Sequence, residues 1–271
     1  MQRQKADVYV KQRSRSTSPK RQGQSEDDDL SASSSGYVAR SAFKLLQLDD
    51  RYKFLRPGRV IVDLGAAPGG WSQAIVERTR SRSNAKVDQK GIATPVSALD
   101  LLPVVDIEGV TSIQGDFLDV ATQDKLRKMV SEAALGSGHD AADLAHTDGF
   151  VDVVVSDMMA NTTGNPIVDT EASLELCRAA TNFASRTLKR DDPKLKQKQK
   201  QNGERRSANL LASTCSVLVM KYFMSHEADM FRKEVLEKHF HFVKAEKMIA
   251  SRKESREQFW ICIGFKGHQL S

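Results

Sequence analysis

The sequence has few cysteines and no long apolar run, and both absences limit what the protein can be. Its three cysteines, Cys177, Cys215 and Cys262, are scattered and form no C-x-x-C pair. This spacing argues against a zinc site and a disulfide framework and favours a reducing compartment, so we expect no metal. No apolar run reaches the length of a membrane span, and the first residues contain no signal-peptide core. We therefore expect a protein that is neither membrane-spanning nor secreted.

Two common nucleotide-binding motifs are also missing. No G-x-x-x-x-G-K-[ST] phosphate loop is present, and G-x-G-x-x-G is broken because Ala67 stands two residues after Gly65. In dinucleotide-binding folds an acid that binds ribose follows the fingerprint by about 20 residues, whereas here a long gap separates Asp63 from Asp100. An NAD-dependent oxidoreductase is therefore an alternative that the sequence disfavours.

Composition indicates a basic protein with polar segments added to an ordinary core. The hydrophobic fraction is 39% and the net charge is +6, with a pI near 9.2. A basic surface suits a polyanionic partner such as nucleic acid, although a solvated basic surface is an equal alternative. We expect residues 1–35 to form an N-terminal segment with a disordered Ser/Arg/acidic insertion, and residues 36–271 to form a single domain. Loop insertions are expected near 81–95, 136–149 and 190–207.

The apolar pattern predicts strands that alternate with helices. The all-apolar run Phe150–Ser156 is typical of a parallel strand that is buried on both faces. The other predicted strands are Val60–Leu64, Val96–Leu102, Val110–Gln114, Ser216–Met220, Phe242–Met248 and Phe259–Phe265. Alternation of this kind predicts an α/β fold with a doubly wound, mostly parallel, Rossmann-like sheet and helices on both faces.

The most informative segment is the turn that follows the first strand. Asp63 to Ser72 reads Asp-Leu-Gly-Ala-Ala-Pro-Gly-Gly-Trp-Ser and predicts a strand, a tight glycine turn and the start of a helix. Glycines without a Cβ let a ligand approach the backbone, and the helix start presents free N–H groups. The turn therefore favours a nucleotide-like small molecule, and a plain strand–helix turn without a ligand is the alternative.

Polar residues recur where the predicted strands end. They are Asp63, Asp100, Asp116, Asp157 and Lys221. Ligands bind beyond the carboxyl ends of the strands in open α/β sheets, although a single acid there is more often a helix N-cap. A lysine at the end of a buried strand can act as a general base when it is deprotonated, or it can simply extend its charge to the sheet rim.

The glycine turn resembles the first motif of S-adenosylmethionine (SAM) methyltransferases, and its Pro-Gly-Gly-Trp-Ser form resembles the RrmJ/FtsJ family of RNA ribose 2′-O-methyltransferases. Segments from Tyr37 to Lys266 carry the resemblance. Ser-Asp-Met-Met-Ala-Asn around Asp157 is similar to the family's Ser-Asp-Met-Ala-Pro-Asn, with Ala160 where the proline is expected. The resemblance implies SAM as the cofactor and a Rossmann-like SAM methyltransferase sheet.

The family uses a Lys-Asp-Lys-Glu catalytic tetrad, and matching motifs supply all four residues. Lys44 lies in an Arg-Ser-x-x-Lys-Leu segment, Asp157 and Lys221 end strands, and Glu257 lies in Ser-Arg-Glu before the last strand. Glu254 is the competing candidate for the glutamate. The resemblance implies that Lys221 takes the proton from a ribose 2′-hydroxyl, while Asp157 and Glu257 orient the lysines.

The resemblance also implies binding residues. Cofactor contacts are expected from Asp63, Gly65, Pro68, Gly69, Gly70, Trp71, Asp100, Leu101, Asp116, Phe117 and Asp157. Asp100 would accept hydrogen bonds from ribose hydroxyls, and Asp116 and Phe117 would lie next to the adenine. RNA contacts are expected from Arg40, Lys44, Arg51, Lys53, Arg252 and Arg256.

Within the family, the motifs look most like the bacterial and mitochondrial ribosomal RNA branch, whose members methylate a uridine of large-subunit rRNA. We therefore expect large-subunit rRNA or a pre-ribosomal particle as the partner, a role in ribosome biogenesis, and a monomer. Insertions of eukaryotic type favour the mitochondrion, with the cytosol or nucleus as the alternative because no Arg-rich presequence is evident. A non-catalytic, RNA-binding ribosome-assembly factor that keeps the fold is the second alternative in function.

Overall fold

The protein is described from a computed structural model, which covers residues 36–83, 94–140, 149–161, 163–191, 204–248 and 256–267. The predicted N-terminal segment 1–35 lies outside these residues, and so does Arg252. Residues 84–93, 141–148 and 192–203 of the three predicted insertions also lie outside them.

Seven strands form one sheet in the order β3-β2-β1-β4-β5-β7-β6. The strands are β1 (Ile61–Leu64), β2 (Val96–Asp100), β3 (Val110–Gln114), β4 (Val153–Ser156), β5 (Val217–Phe223), β6 (Phe240–Glu246) and β7 (Glu257–Phe265). Strands β1 to β5 are parallel, whereas β7 runs antiparallel to both β5 and β6. The expected doubly wound, mostly parallel sheet is confirmed.

Helices cover both faces of the sheet. They are α1 (Ala42–Tyr52), α2 (Gly70–Arg82), α3 (Val120–Gly136), α4 (Pro166–Thr187), α5 (Glu204–Thr214), α6 (His226–Phe231) and α7 (Glu237–His239). A π-helical turn, Arg232–Leu236, joins α6 to α7. Helices α1, α2 and α5 share a buried cluster with one face of the sheet. Helices α3, α4 and α6 share a second cluster with the opposite face. Successive strand residues point to opposite faces, so both faces are apolar.

Some predicted boundaries were wrong, and the observed boundaries follow from local capping and from pairing between distant strands. Helix α4 starts at Pro166 because Asn165 caps it, accepting a hydrogen bond from the N–H of Ile167, and because proline suits the first helical position. Strand β5 continues to Phe223 because its last residues pair with β7, so Lys221 lies within the strand. Helix α5 begins at Glu204, inside the range predicted as an insertion. None of the helices in the described ranges is long and apolar enough to cross a membrane.

The register of the parallel strands determines which residues meet at the carboxyl edge of the sheet. Leu64 pairs with Leu99 on one side and Ser156 on the other, and Ser156 pairs with Met220. Because these partners lie level with one another, the residues that follow them also meet at one edge. Those residues are Gly65, Asp100, Asp157 and Lys221.

Candidate active site

Lys221 and Asp157 form a nearly buried ion pair at the carboxyl edge of the sheet. Lys221 Nζ lies 2.9 Å from Asp157 Oδ1 and donates to the Asp157 backbone oxygen at 2.5 Å. The two side chains are only 8% and 14% exposed. The Cys177 thiol, on α4, donates to the Lys221 carbonyl oxygen at 3.3 Å. The lysine amine is therefore held in place rather than free on the sheet rim.

Lys44 and Glu257 form a second ion pair of the same kind. Lys44 Nζ on α1 donates to Glu257 Oε1 at 2.6 Å, and the side chains are 14% and 12% exposed. Lys44 Nζ also lies 5.8 Å from the centroid of the Phe259 ring, within the range of a cation–π interaction.

The β5–β7 pairing brings the two ion pairs to one face of the sheet. Lys221 lies opposite Phe259, and Phe223 lies opposite Glu257. Directly opposed residues in an antiparallel pair point to the same face, and residues two apart on a strand do so as well. Lys221, Phe259 and Glu257 therefore share the face that α1 covers, and α1 carries Lys44. Residues that are 213 positions apart in the chain, Lys44 and Glu257, become direct partners.

The glycine turn lies beside these pairs and leaves no room for side chains. Gly65 has φ +76°, and a Cβ there would lie 2.7 Å from the backbone nitrogen of Met158, the residue after Asp157. A Cβ at Gly69, where φ is +127°, would lie 2.8 Å from Ile107 Cδ1, and one at Gly70 would lie 2.8 Å from Ala39 Cβ. The peptide bond before Pro68 is cis. The turn is therefore packed against the connection after β4, which carries Asp157.

Asp100 ties the glycine turn to the end of β2. Its Oδ2 accepts a hydrogen bond from the N–H of Ala67 at 2.9 Å, and its Oδ1 accepts one from the N–H of Leu102 at 2.9 Å. The neighbouring side chains of Leu101 and Leu102 are 63% and 65% exposed. The carboxylate thus stands between a backbone turn and an exposed apolar surface, and each oxygen keeps a second lone pair for a ligand.

Asp63 is a fully buried acid at the end of β1. Its Oδ2 accepts a hydrogen bond from the Ser72 hydroxyl at 2.6 Å, while Oδ1 has no hydrogen-bond partner among the described residues. Burial is the main cause of a raised pKa of about 7 for Asp63; the hydrogen bonds from Ser72 lower this pKa, and the nearby charges of Asp157 and Asp100 raise it.

Comparison with known proteins identifies the family to which this arrangement belongs. The sequence model of FtsJ-like methyltransferases matches residues 37–265, which include both ion pairs and the glycine turn. This chain belongs to the FtsJ-like methyltransferase family.

Relatives and a solved structure agree with the family match. A Rhodopseudomonas palustris protein named ribosomal RNA large subunit methyltransferase E is 38% identical over 234 residues, covering 86% of this chain and 78% of its own length. An Acinetobacter baumannii protein of the same name is 34% identical over 235 residues, covering 87% and 85%. The crystal structure of a Plasmodium falciparum protein described as a ribosomal RNA methyltransferase superposes with a TM-score of 0.60. The sequence of that protein is 22% identical to this chain, and the match covers 86% of this chain and 100% of the other. The likeness is therefore one of fold.

Two predicted cofactor contacts of the FtsJ-like chain point into its core. Trp71 is buried, donates from Nε1 to the Ser41 carbonyl oxygen at 2.9 Å and packs 5.7 Å from the Phe259 ring centroid. Phe117 is buried edge-on against Phe183 of α4, with ring centroids 5.7 Å apart. Both aromatic side chains are therefore packed inside the protein, where they support the turns that carry them.

The other predicted contacts lie at the edge. Asp116, after β3, is exposed and accepts from the N–H of Leu118 at 2.9 Å. The Pro68 carbonyl accepts from the N–H of Val105 at 3.0 Å, which holds the connection after β2 over the turn. Sequence reasoning missed this connection, and it missed Ser72 and Met158. Ser72 lies nine residues after Asp63, in the first turn of α2, so no local spacing signals this pair.

Most of the predicted RNA-binding residues that the structure describes contact other groups of the chain. Arg40 is exposed near the start of α1, whereas Lys44 forms an ion pair with Glu257. Arg51 pairs with Glu246 at 2.5 Å, and Lys53 pairs with Asp50 at 3.4 Å. Arg256 donates to the Met224 carbonyl oxygen from Nη2 at 2.6 Å.

We expect the buried carboxyl of Asp63 to make folding pH-dependent. A pKa raised from 3.8 to about 7 means that the folded state retains a proton that the unfolded state releases. Stability should therefore fall as pH rises from about 4 to 7. Asp63→Asn cannot ionise, so the unfolding free energy of wild type relative to this variant should fall by about 2 kcal/mol between pH 5 and 7.

Urea unfolding of both proteins at pH 5, 6, 7 and 8 would measure this difference. Ser72→Ala removes the hydroxyl that favours the ionised form, so the fall should extend to higher pH in that variant. A difference that stays constant across the range would show that Asp63 is ionised in the folded protein.

Proposed function

We propose that this methyltransferase transfers a methyl group from SAM to a ribose 2′-hydroxyl of large-subunit rRNA, at a uridine. The observation that carries the proposal is the pair of nearly buried lysine–carboxylate contacts, Lys221–Asp157 and Lys44–Glu257, on one face beside the glycine turn. The names of the relatives support rRNA as the substrate. As expected from the sequence, the compartment would be the mitochondrion.

The edge of the sheet offers groups that fit SAM. Carboxylates at the ends of β1, β2 and β4 can accept hydrogen bonds from amino and hydroxyl groups, and Asp63 Oδ1 has no hydrogen-bond partner in the described part of the chain. Leu101 and Leu102 expose apolar surface beside Asp100, which suits a flat aromatic ring. We propose that Gly65, Pro68, Gly69, Gly70 and Asp116 line the same site through the turns described above. SAM would supply an electron-poor methyl group that an oxygen can attack.

The chain's own residues would position and deprotonate the acceptor. We propose that Lys221, as the neutral amine, receives the 2′-hydroxyl proton as the oxygen forms its bond to the methyl carbon and the carbon–sulfur bond breaks. Asp157 aims the amine with two contacts, and Glu257 holds Lys44 where it can bind the ribose. Orientation of the hydroxyl contributes most of the acceleration, and a positioned base contributes about 10²–10⁴-fold.

Two experiments test this function. Isothermal titration should give saturable binding of SAM and none of NAD, since an oxidoreductase would show the reverse. Tritiated SAM with large-subunit rRNA, and separately with ribosomal subunits, should give labelled RNA that resists alkaline cleavage at one uridine. If SAM binds but no RNA or particle is labelled, the chain is an assembly factor that keeps the fold. Label on a base instead of a ribose would refute the 2′-hydroxyl as the acceptor.

A further inference from the structure

Arg256, the residue before Glu257 of the second ion pair, lines an open groove of about 420 Å³. Its walls come from the first turn of α4, from Ser225 and Glu227 at the start of α6, and from Arg256. Arg256 directly precedes Glu257, and its carbonyl oxygen accepts from the N–H of Met224 at 2.9 Å. Met224 is three residues after Lys221, about 10 Å along an extended chain. The groove therefore begins roughly one nucleotide away from the candidate base.

One wall of the groove is a fixed guanidinium and the other is apolar. Arg256 donates to the Met224 carbonyl oxygen from Nε at 3.2 Å and from Nη2 at 2.6 Å, and Nη2 also lies 3.4 Å from Thr170 Oγ1. Pro166 and Ile167 form the apolar wall, and Ile167 is 80% exposed. Contacts within the described chain therefore cover little of the Ile167 side chain, and most of its apolar surface is open to a ligand.

The charges in the groove select against a phosphate. The carboxylates of Glu227 and of Glu171, which Arg178 pairs with at 2.7 Å, lie beside the single guanidinium of Arg256, so the lining offers a phosphate no net positive charge. A flat, neutral group with N–H donors at its edge suits this lining better. Nucleobases have this chemistry, and proteins bind unpaired bases by stacking them on apolar side chains or on arginine guanidinium planes.

A second hollow of about 530 Å³ adjoins the groove at Ser225. Its lining includes the cationic side chains of Arg232 and Lys244, which pair with Glu237 and Glu246, and one acid, Asp229. The two hollows therefore lie on either side of Ser225, and neighbouring hollows of this kind suit a polymer. The lining of the first groove suits a nucleobase, whereas the lining of the second hollow has more cationic side chains.

Resting on the function proposed above, we propose that the groove between Ile167 and Arg256 binds the base of a nucleotide adjacent to the one that is methylated. The base stacks between the isoleucine and the guanidinium, and its edge donates to a carboxylate. The RNA strand then continues past Ser225 toward Arg232 and Lys244.

Fluorescence anisotropy with two labelled probes tests this proposal on the full chain. The probes are decauridylate and a ten-residue abasic RNA of the same charge, and the readout is the ratio of their dissociation constants. Ile167→Ser removes the apolar wall at a position too exposed to affect folding. It should lower the preference for decauridylate at least threefold while leaving the affinity for the abasic RNA unchanged. Leu210→Ser, at an apolar residue on α5 that is 62% exposed, is the matched control and should change neither constant.

The outcomes distinguish a failure of the groove proposal from a failure of the proposed methyl transfer. A wild-type protein that binds both probes equally, or an Ile167→Ser variant that keeps the wild-type preference, would overturn the groove proposal even if rRNA is methylated. An equal loss of affinity for both probes would also overturn it, because the contact would then be to the RNA backbone. A base-dependent effect of Ile167 in a protein that methylates no RNA would refute the proposed function and leave only a base-binding groove.

Discussion

Replacing Lys221 with methionine is expected to lower the rate of methyl transfer to rRNA by about 10²–10⁴-fold, the usual contribution of a general base. Methionine preserves most of the volume of the lysine stem but has no amine to accept a proton. Lys221→Arg should be as slow, because arginine keeps the charge next to Asp157 yet stays protonated at any usable pH. The measurement is single-turnover transfer from tritiated SAM to rRNA.

The arginine variant separates a base from a structural ion pair. If Lys221 only balanced the buried charge of Asp157, arginine would restore activity; a rate within threefold of wild type would remove Lys221 as the base. Lys189→Met is the control, because Lys189 also pairs with an aspartate, Asp152, at 3.0 Å but at the far end of β4. That variant should keep the wild-type rate. Titration with SAM should give unchanged affinity in all three variants, which shows that the donor half of the site is intact.

Gly65→Ala is expected to destabilise the fold by about 2–5 kcal/mol and to abolish SAM binding. The backbone at Gly65 has φ +76°, which costs an alanine about 1–2 kcal/mol. The new Cβ would also lie 2.7 Å from the Met158 backbone nitrogen, and overpacking of this kind adds about 1–3 kcal/mol. The turn or the Asp157 connection must therefore move.

Gly164→Ala isolates the cost of the backbone conformation. Gly164 has φ +84°, but no atom of the described residues lies within 4 Å of the position that a Cβ would take. Urea unfolding should therefore show about 1–2 kcal/mol of destabilisation in this variant, with SAM binding retained. Equal losses of stability in the two variants would mean that the contact with Met158 contributes nothing.

Both predictions concern residues that the sequence reveals by local pattern. The valine-rich runs and the glycine turn are local signals, because strand alternation, turn chemistry and acids at strand ends are all read over a few residues. Boundaries were less predictable. Strand β5 extends through Lys221 because β7 pairs with β5, and no local sequence feature of β5 predicts that pairing.

The sequence by itself determined the fold class, the glycine turn and the family motifs that contain Lys44, Asp157, Lys221 and Glu257. Only the tertiary structure decided how these residues pair, since Lys44 meets Glu257 through the register of β5 with β7 and through α1 packing on that face. It also decided that the Trp71 and Phe117 side chains turn inward and that Ile167 and Arg256 face each other across a groove. The physical reason is that a side chain's direction and exposure depend on elements that are distant in the chain, which local propensities cannot specify.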